Sequence, residues 1–160
     1  MLKSKTKKIM AAAAGMLLLC SVAAAETAGL QTVTKAGSNA TVQANPKNFT
    51  GTAWATSLFS AHSPSKTYAA VVSFTPGART NWHKHSGGQI LLVTAGEGRY
   101  QERNGKIRIL KTGDVIKIPP FVAHWHGAAP NRAFAHISIE TNLPTNETTW
   151  LEPVTDEQYK

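Results

Sequence analysis

Little in this chain could staple or anchor it. One cysteine, Cys20, occurs in 160 residues, which excludes a disulfide framework and a CxxC zinc ribbon. Beyond residue 25 no long hydrophobic run occurs, and hence no candidate span. No sustained 3.6-residue apolar period occurs there either, apart from a final turn at 155–159, which leaves little room for helices. Basic blocks are also missing. Arg99, Arg103, Lys106, Arg108 and Lys111 are spaced like a solvated face, which excludes a nucleic-acid interface. Length allows one domain, and a hydrophobic fraction of 42% excludes whole-chain disorder.

Residues 1–25 read as a secretory signal peptide. Lys3, Lys5, Lys7 and Lys8 form a positive start, Ile9 to Val22 is almost unbroken apolar sequence, and Ala23-Ala24-Ala25 offers a cut after Ala25. The run is shorter than the roughly 20 residues of a span. Leu19 stands where lipid attachment at Cys20 would need a small side chain. The expected location is the periplasm or the cell exterior, with no membrane attachment after cleavage. The signal holds four of the 17 basic residues and no acid, so the net charge falls from +8 to +4. The remaining chain of about 135 residues is long enough to bury roughly two-thirds of its surface.

Residues 26–48 are small and polar and read as an N-terminal arm, with one short strand near 30–34. From Phe49 onward, short runs of β-formers alternate with Gly, Pro and Asn. Strands are predicted at 53–59, 68–75, 81–85, 89–94, 98–103, 106–110, 114–118, 123–127 and 133–140. Asn104-Gly105 is the strongest hairpin signal, with Tyr100 expected to answer Ile107 and Ile109. Strands of this length and spacing predict an all-β antiparallel sandwich or small barrel over 49–160, ending in a C-terminal arm. The Asn-x-Thr triplets at Asn39, Asn48 and Asn146 read as surface loops.

The six histidines carry the chemistry. In a strand, i and i+2 face one side, so His83 and His85 point together, and so do His124 and His126. After the turn Ser86-Gly87-Gly88, Gln89 can fold back to the same point. His136 shares a face with Phe134, Ser138 and Glu140. His62 reads as a solvated loop residue. Converging imidazoles in an apolar interior each cost about 1–3 kcal/mol if unpaired, and a divalent cation satisfies them together. Such donors suit Mn, Fe, Co, Ni, Cu or Zn. Trp82 and Trp125 flank the histidines but face away, which points to packing. Trp54 and Trp150 are expected in the core or at subunit contacts.

Gly77, His83, His85, Gln89 and Gly96 fall on the spacing G-x5-H-x-H-x3-E-x6-G, with Gln for Glu. Gly113, Pro119 and His124 fall on G-x5-P-x-G-x2-H, with Phe121 for Gly. In these positions the chain resembles the cupin superfamily. The resemblance implies a single-domain double-stranded β-helix, or jelly-roll barrel, in which His83, His85, Gln89 and His124 hold one metal. Between Lys35 and Tyr159, the stretches FTPGARTNWHKHSGGQILLVTAGEG, HWHGAAP and VTDEQY are similar to the small bacterial cupins that include manganese-dependent hydroxynitrile lyases. That likeness implies Mn2+, with Fe2+, Zn2+, Ni2+ and Co2+ as alternatives. It places supporting, candidate catalytic histidines at His126 and His136, and a substrate pocket at Ala70, Val72 and Glu140. Glu140 stands where the likeness expects Gln, and most such relatives are cytosolic.

A neutral Gln89 beside three neutral histidines leaves a divalent ion its full charge, which favours Lewis-acid chemistry over redox oxygenation. The expected activity is cleavage or synthesis of a small cyanohydrin, with His126 or His136 as general base and Glu140 able to orient His136. A metal-dependent dioxygenase and a non-catalytic small-ligand binder are the alternatives. A homodimer or larger homo-oligomer is expected, paired through the outer sheet and the arm at 150–159.

Overall fold

The computed structural model describes residues 31–59 and 65–160, and residues 34–160 form one compact unit. The signal segment, Cys20 and His62 lie outside the described residues. In chain order the elements are β1 (Thr41–Gln43), β2 (Phe49–Thr50), β3 (Ala53–Phe59), β4 (Tyr68–Phe74), β5 (Arg79–Thr80), β6 (His83–His85), β7 (Gln89–Glu102), β8 (Arg108–Lys111), β9 (Val115–Ile118), β10 (His124–Ala128), β11 (Phe134–Glu140), β12 (Thr148–Trp150) and α1 (Asp156–Tyr159). The fold is all-β, as its turn-punctuated β-formers require. No helix among the described residues is long and apolar enough to cross a membrane.

All pairing is antiparallel, and the strands run β1-β3-β4-β11-β7-β10-β5-β2. The first half of β7 pairs with β11 and β9, and its second half with β10 and β8. One strand thus belongs to both faces of the curled sheet. The pattern predicts two separate strands at 89–94 and 98–103. They join because the chain bends between them without breaking. Gly96 sits at φ +76°, where a Cβ would collide with the Ala133 carbonyl, and β7 bulges at Thr94, since Val93 lies opposite His136 and Ala95 opposite Ala135.

Other boundaries differ for local reasons. Residues 31–34 form no strand; the arm instead pairs through β1, where Thr41 sits opposite Thr56 on β3. The run at 81–85 divides because the Trp82 backbone bonds Leu151 and Glu152. Past the hairpin, Tyr100 lies opposite Arg108. Ile109 therefore faces outward and is half exposed, while Ile107 packs with Trp82, Trp125, Val154 and Tyr159. Asn146 is buried, not on a surface loop: its side chain accepts from Gly87 N and donates to Gly88 O.

Alternation sorts the side chains. Phe74, Leu91, Val93, Tyr100, Leu110, Ile118 and Phe134 fill the interior. The C-terminal arm packs on its own barrel. Thr155 and Gln158 form a reciprocal capping box on α1. The Tyr159 ring is held between the Arg79 and Arg99 guanidinium groups, 4.6 and 5.0 Å from its centre, and its hydroxyl donates to Ala128 O.

Candidate metal centre and pocket

Three strands bring the ligand candidates together. His124 on β10 lies directly opposite His83 on β6, and Gln89 opens β7. His83, His85, Gln89 and His124 are all buried. One ring nitrogen from each histidine lies within 4.8 Å of the other two, so the three could hold a metal ion.

Hydrogen bonds fix which atoms face the centre. His83 Nδ1 donates to Asn81 O at 3.0 Å, and His124 Nδ1 donates to Val122 O at 2.9 Å. Their Nε2 atoms are thereby left as bare lone pairs. His85 Nδ1 bonds the Thr148 hydroxyl at 3.1 Å, and His85 Nε2 is buried without a partner. Gln89 donates through Nε2 to Ser138 Oγ at 2.9 Å, which turns its Oε1 inward, 3.1 Å from His124 Nε2. With His124 protonated on Nδ1, two acceptors face each other with no proton between them. A cation between them would satisfy both acceptors at once. The donor set therefore fits a divalent ion.

Burial keeps these imidazoles neutral, as ligation requires. Desolvation, then the nearby His124, lowers His85 from 6.5 to about 4, and desolvation lowers His124 to about 4 against the pull of its bond to Val122 O. His83 is held well below the usual histidine value by burial and then by His124.

A second pair lies alongside. His136 Nε2 and His126 Nδ1 are 3.2 Å apart, and His126 Nε2 is buried without a partner. Phe74 packs against both rings. Burial lowers His136 to about 3; His126 is driven well below 6.5 by burial and then by His136. Depending on tautomer, one proton shared along this pair makes His126 Nε2 a donor or a base.

His83, His85 and Gln89 from the first group, with His126 and His136, border one cavity of about 130 Å3, the scale that accepts a benzene-sized ring. Register places its other wall: Val72, Ala70 and Tyr68 on β4 lie opposite His136, Ser138 and Glu140 on β11. Glu140 is 3.7 Å from His85 Nδ1, and burial raises its pKa. Trp150 is exposed on one side rather than in the core and borders the cavity, its ring 4.9 Å from His83 and 5.7 Å from Phe49. Trp54 is exposed rather than in the core, while Trp82 and Trp125 pack away from the ligands. Sequence reasoning missed Trp150, Thr148, Phe49 and Tyr68 as lining residues. Alternation puts Thr148 and Trp150 on one side, but only folding reveals that β12 pairs with β6.

Residues 70–139 match the cupin domain family. A curated relative, the (R)-mandelonitrile lyase of Granulicella tundricola, is 43% identical over 128 residues, which is 80% of this chain and 98% of the relative. A cupin-like protein of Thermotoga maritima superposes with a TM-score of 0.71 at 45% identity, over 81% of this chain and 95% of the other. A cupin-2 domain protein of Rhodospirillum rubrum shares the fold with a TM-score of 0.62 at 14% identity, over 81% and 84% of the two chains.

Proposed function

The chain belongs to the cupin family, and from that premise we propose that it is a metal-dependent lyase that cleaves or forms a small cyanohydrin. The observation that carries this reading is the pair of facing acceptors, His124 Nε2 and Gln89 Oε1, beside the bare nitrogens of His83 and His85 at the floor of an aromatic-walled cavity. The relative named (R)-mandelonitrile lyase supports the substrate class.

His83, His85, Gln89 and His124 would hold the ion, with Mn2+ first among Mn2+, Fe2+, Zn2+, Ni2+ and Co2+. When bound, it supplies Lewis-acid polarisation of oxygen or cyanide. Ser138 holds the Gln89 amide so that oxygen rather than nitrogen faces the centre. His126 Nε2 takes the hydroxyl proton as the carbon–carbon bond breaks, and His136 fixes its ring and tautomer. Ala70, Val72 and the aromatic wall exclude water from the scissile bond.

Metal analysis run beside a mandelonitrile cleavage assay, with and without chelator, tests the reading. Expected are about one divalent ion per chain and cleavage abolished by chelation and restored by Mn2+. A metal-free protein, or cleavage indifferent to chelator, would overturn it. Oxygen uptake without cleavage would move the site to the dioxygenases.

Two further proposals concern the molecule's setting. Export to the periplasm or the exterior rests on residues 1–25, and sequencing the N-terminus of secreted material should find Glu26 first. Self-association rests on the outer face of the sheet, where Val71, Ile137, Leu92 and Val115 align across β4, β11, β7 and β9. Sedimentation should give a dimer or larger, and a monomer would overturn the idea.

A further inference from the structure

Glu140 is the unexplained group in the cavity. Its side chain is only 17% exposed. It makes no hydrogen bond with any described residue, and its nearest cationic candidate, His85 Nδ1, lies 3.7 Å away, already bonded to Thr148. No lysine or arginine lines the cavity among the described residues. A largely buried carboxyl group without donors is costly, and a ligand donor would remove the cost. Around it stand Tyr68, directly opposite on β4, with Phe49 and Trp150 beyond. These rings favour a flat apolar body. His85 Nε2 faces the candidate metal, and Nδ1, on the other side of that ring, faces Glu140. Glu140 therefore addresses a part of the ligand away from its reacting carbon.

We propose that Glu140 selects ligands whose aromatic ring carries a hydrogen-bond donor, a phenolic hydroxyl or an amino group, and rejects those carrying a carboxylate. This rests on the cyanohydrin reading for the end of the molecule that meets the histidines, and adds the class of group at the other end.

The test is calorimetric titration of the Mn2+-loaded protein with 3-hydroxybenzyl alcohol and 3-(hydroxymethyl)benzoate, with cleavage of the matching cyanohydrins followed in parallel. The phenol should bind at least about tenfold more tightly than the carboxylate, because the phenol brings the donor that the Glu140 carboxyl oxygens lack and the carboxylate brings only further acceptors. In Glu140→Gln, which accepts and donates alike, and in Glu140→Leu, the ratio should fall below about threefold. Equal affinities in the unmodified protein, a ratio unchanged in both variants, or no binding of either compound overturns the proposal. If the binding order holds but no cyanohydrin is cleaved, the lyase reading fails and the role of Glu140 stands. Cleavage without any such order leaves the lyase reading standing and removes the role of Glu140.

Discussion

At the scale of the residue, the functional weight falls on Gln89. A carboxylate there would neutralise part of the ion's charge, whereas an amide leaves it whole. Gln89→Glu should therefore weaken azide or cyanide binding to the metal-loaded protein several-fold in a spectroscopic titration, and unchanged affinity would count against the Lewis-acid account. Ser138→Ala removes the bond that aims the amide, and should lower metal affinity by about 10–100-fold, read by competition with a chelating dye. His126→Ala should lower kcat by about 10²–10⁴-fold with metal content retained, as loss of a general base does. The histidine clusters and Gln89 were legible in the sequence because a period of two fixes a face whatever the strand's neighbours. Their tautomers were not, because Asn81 and Val122 are acceptors only through backbone positions that folding sets.

At the scale of the element, legibility tracked local chemistry. The strand at 53–59 has the bounds its pattern predicts, and α1 follows from the Thr155–Gln158 box. The union of two predicted strands into β7 was hidden because glycine breaks most strands and only bends this one. The placement of β12 was hidden more completely, since a three-residue strand carries no mark of its partner 63 residues away. Asn146 ties the loop before β7 to the chain just before β12. Asn146→Ala leaves the buried Gly88 carbonyl and the half-buried Gly87 N–H without their partners and should cost about 1–3 kcal/mol for the buried one, seen as a lower midpoint in chemical denaturation.

At the scale of the whole molecule, the buried histidines link stability to acidity. Folded His85 and His124 titrate near 4 and the unfolded side chains near 6.5. Between those values the unfolded state binds more protons, so stability falls as the pH drops from about 6.5 toward 4 and is level above that window. Thermal melts across pH 4–8 should show the midpoint declining below 6.5, and a midpoint that rises on acidification would contradict the neutral cluster.

The sharing of β7 between both faces has a mechanical corollary. Neither face can open while the other stays closed, because fraying either one pulls on the same backbone through Gly96. Amide protons from Leu91 to Tyr100 should exchange together and most slowly, at the rate of global opening.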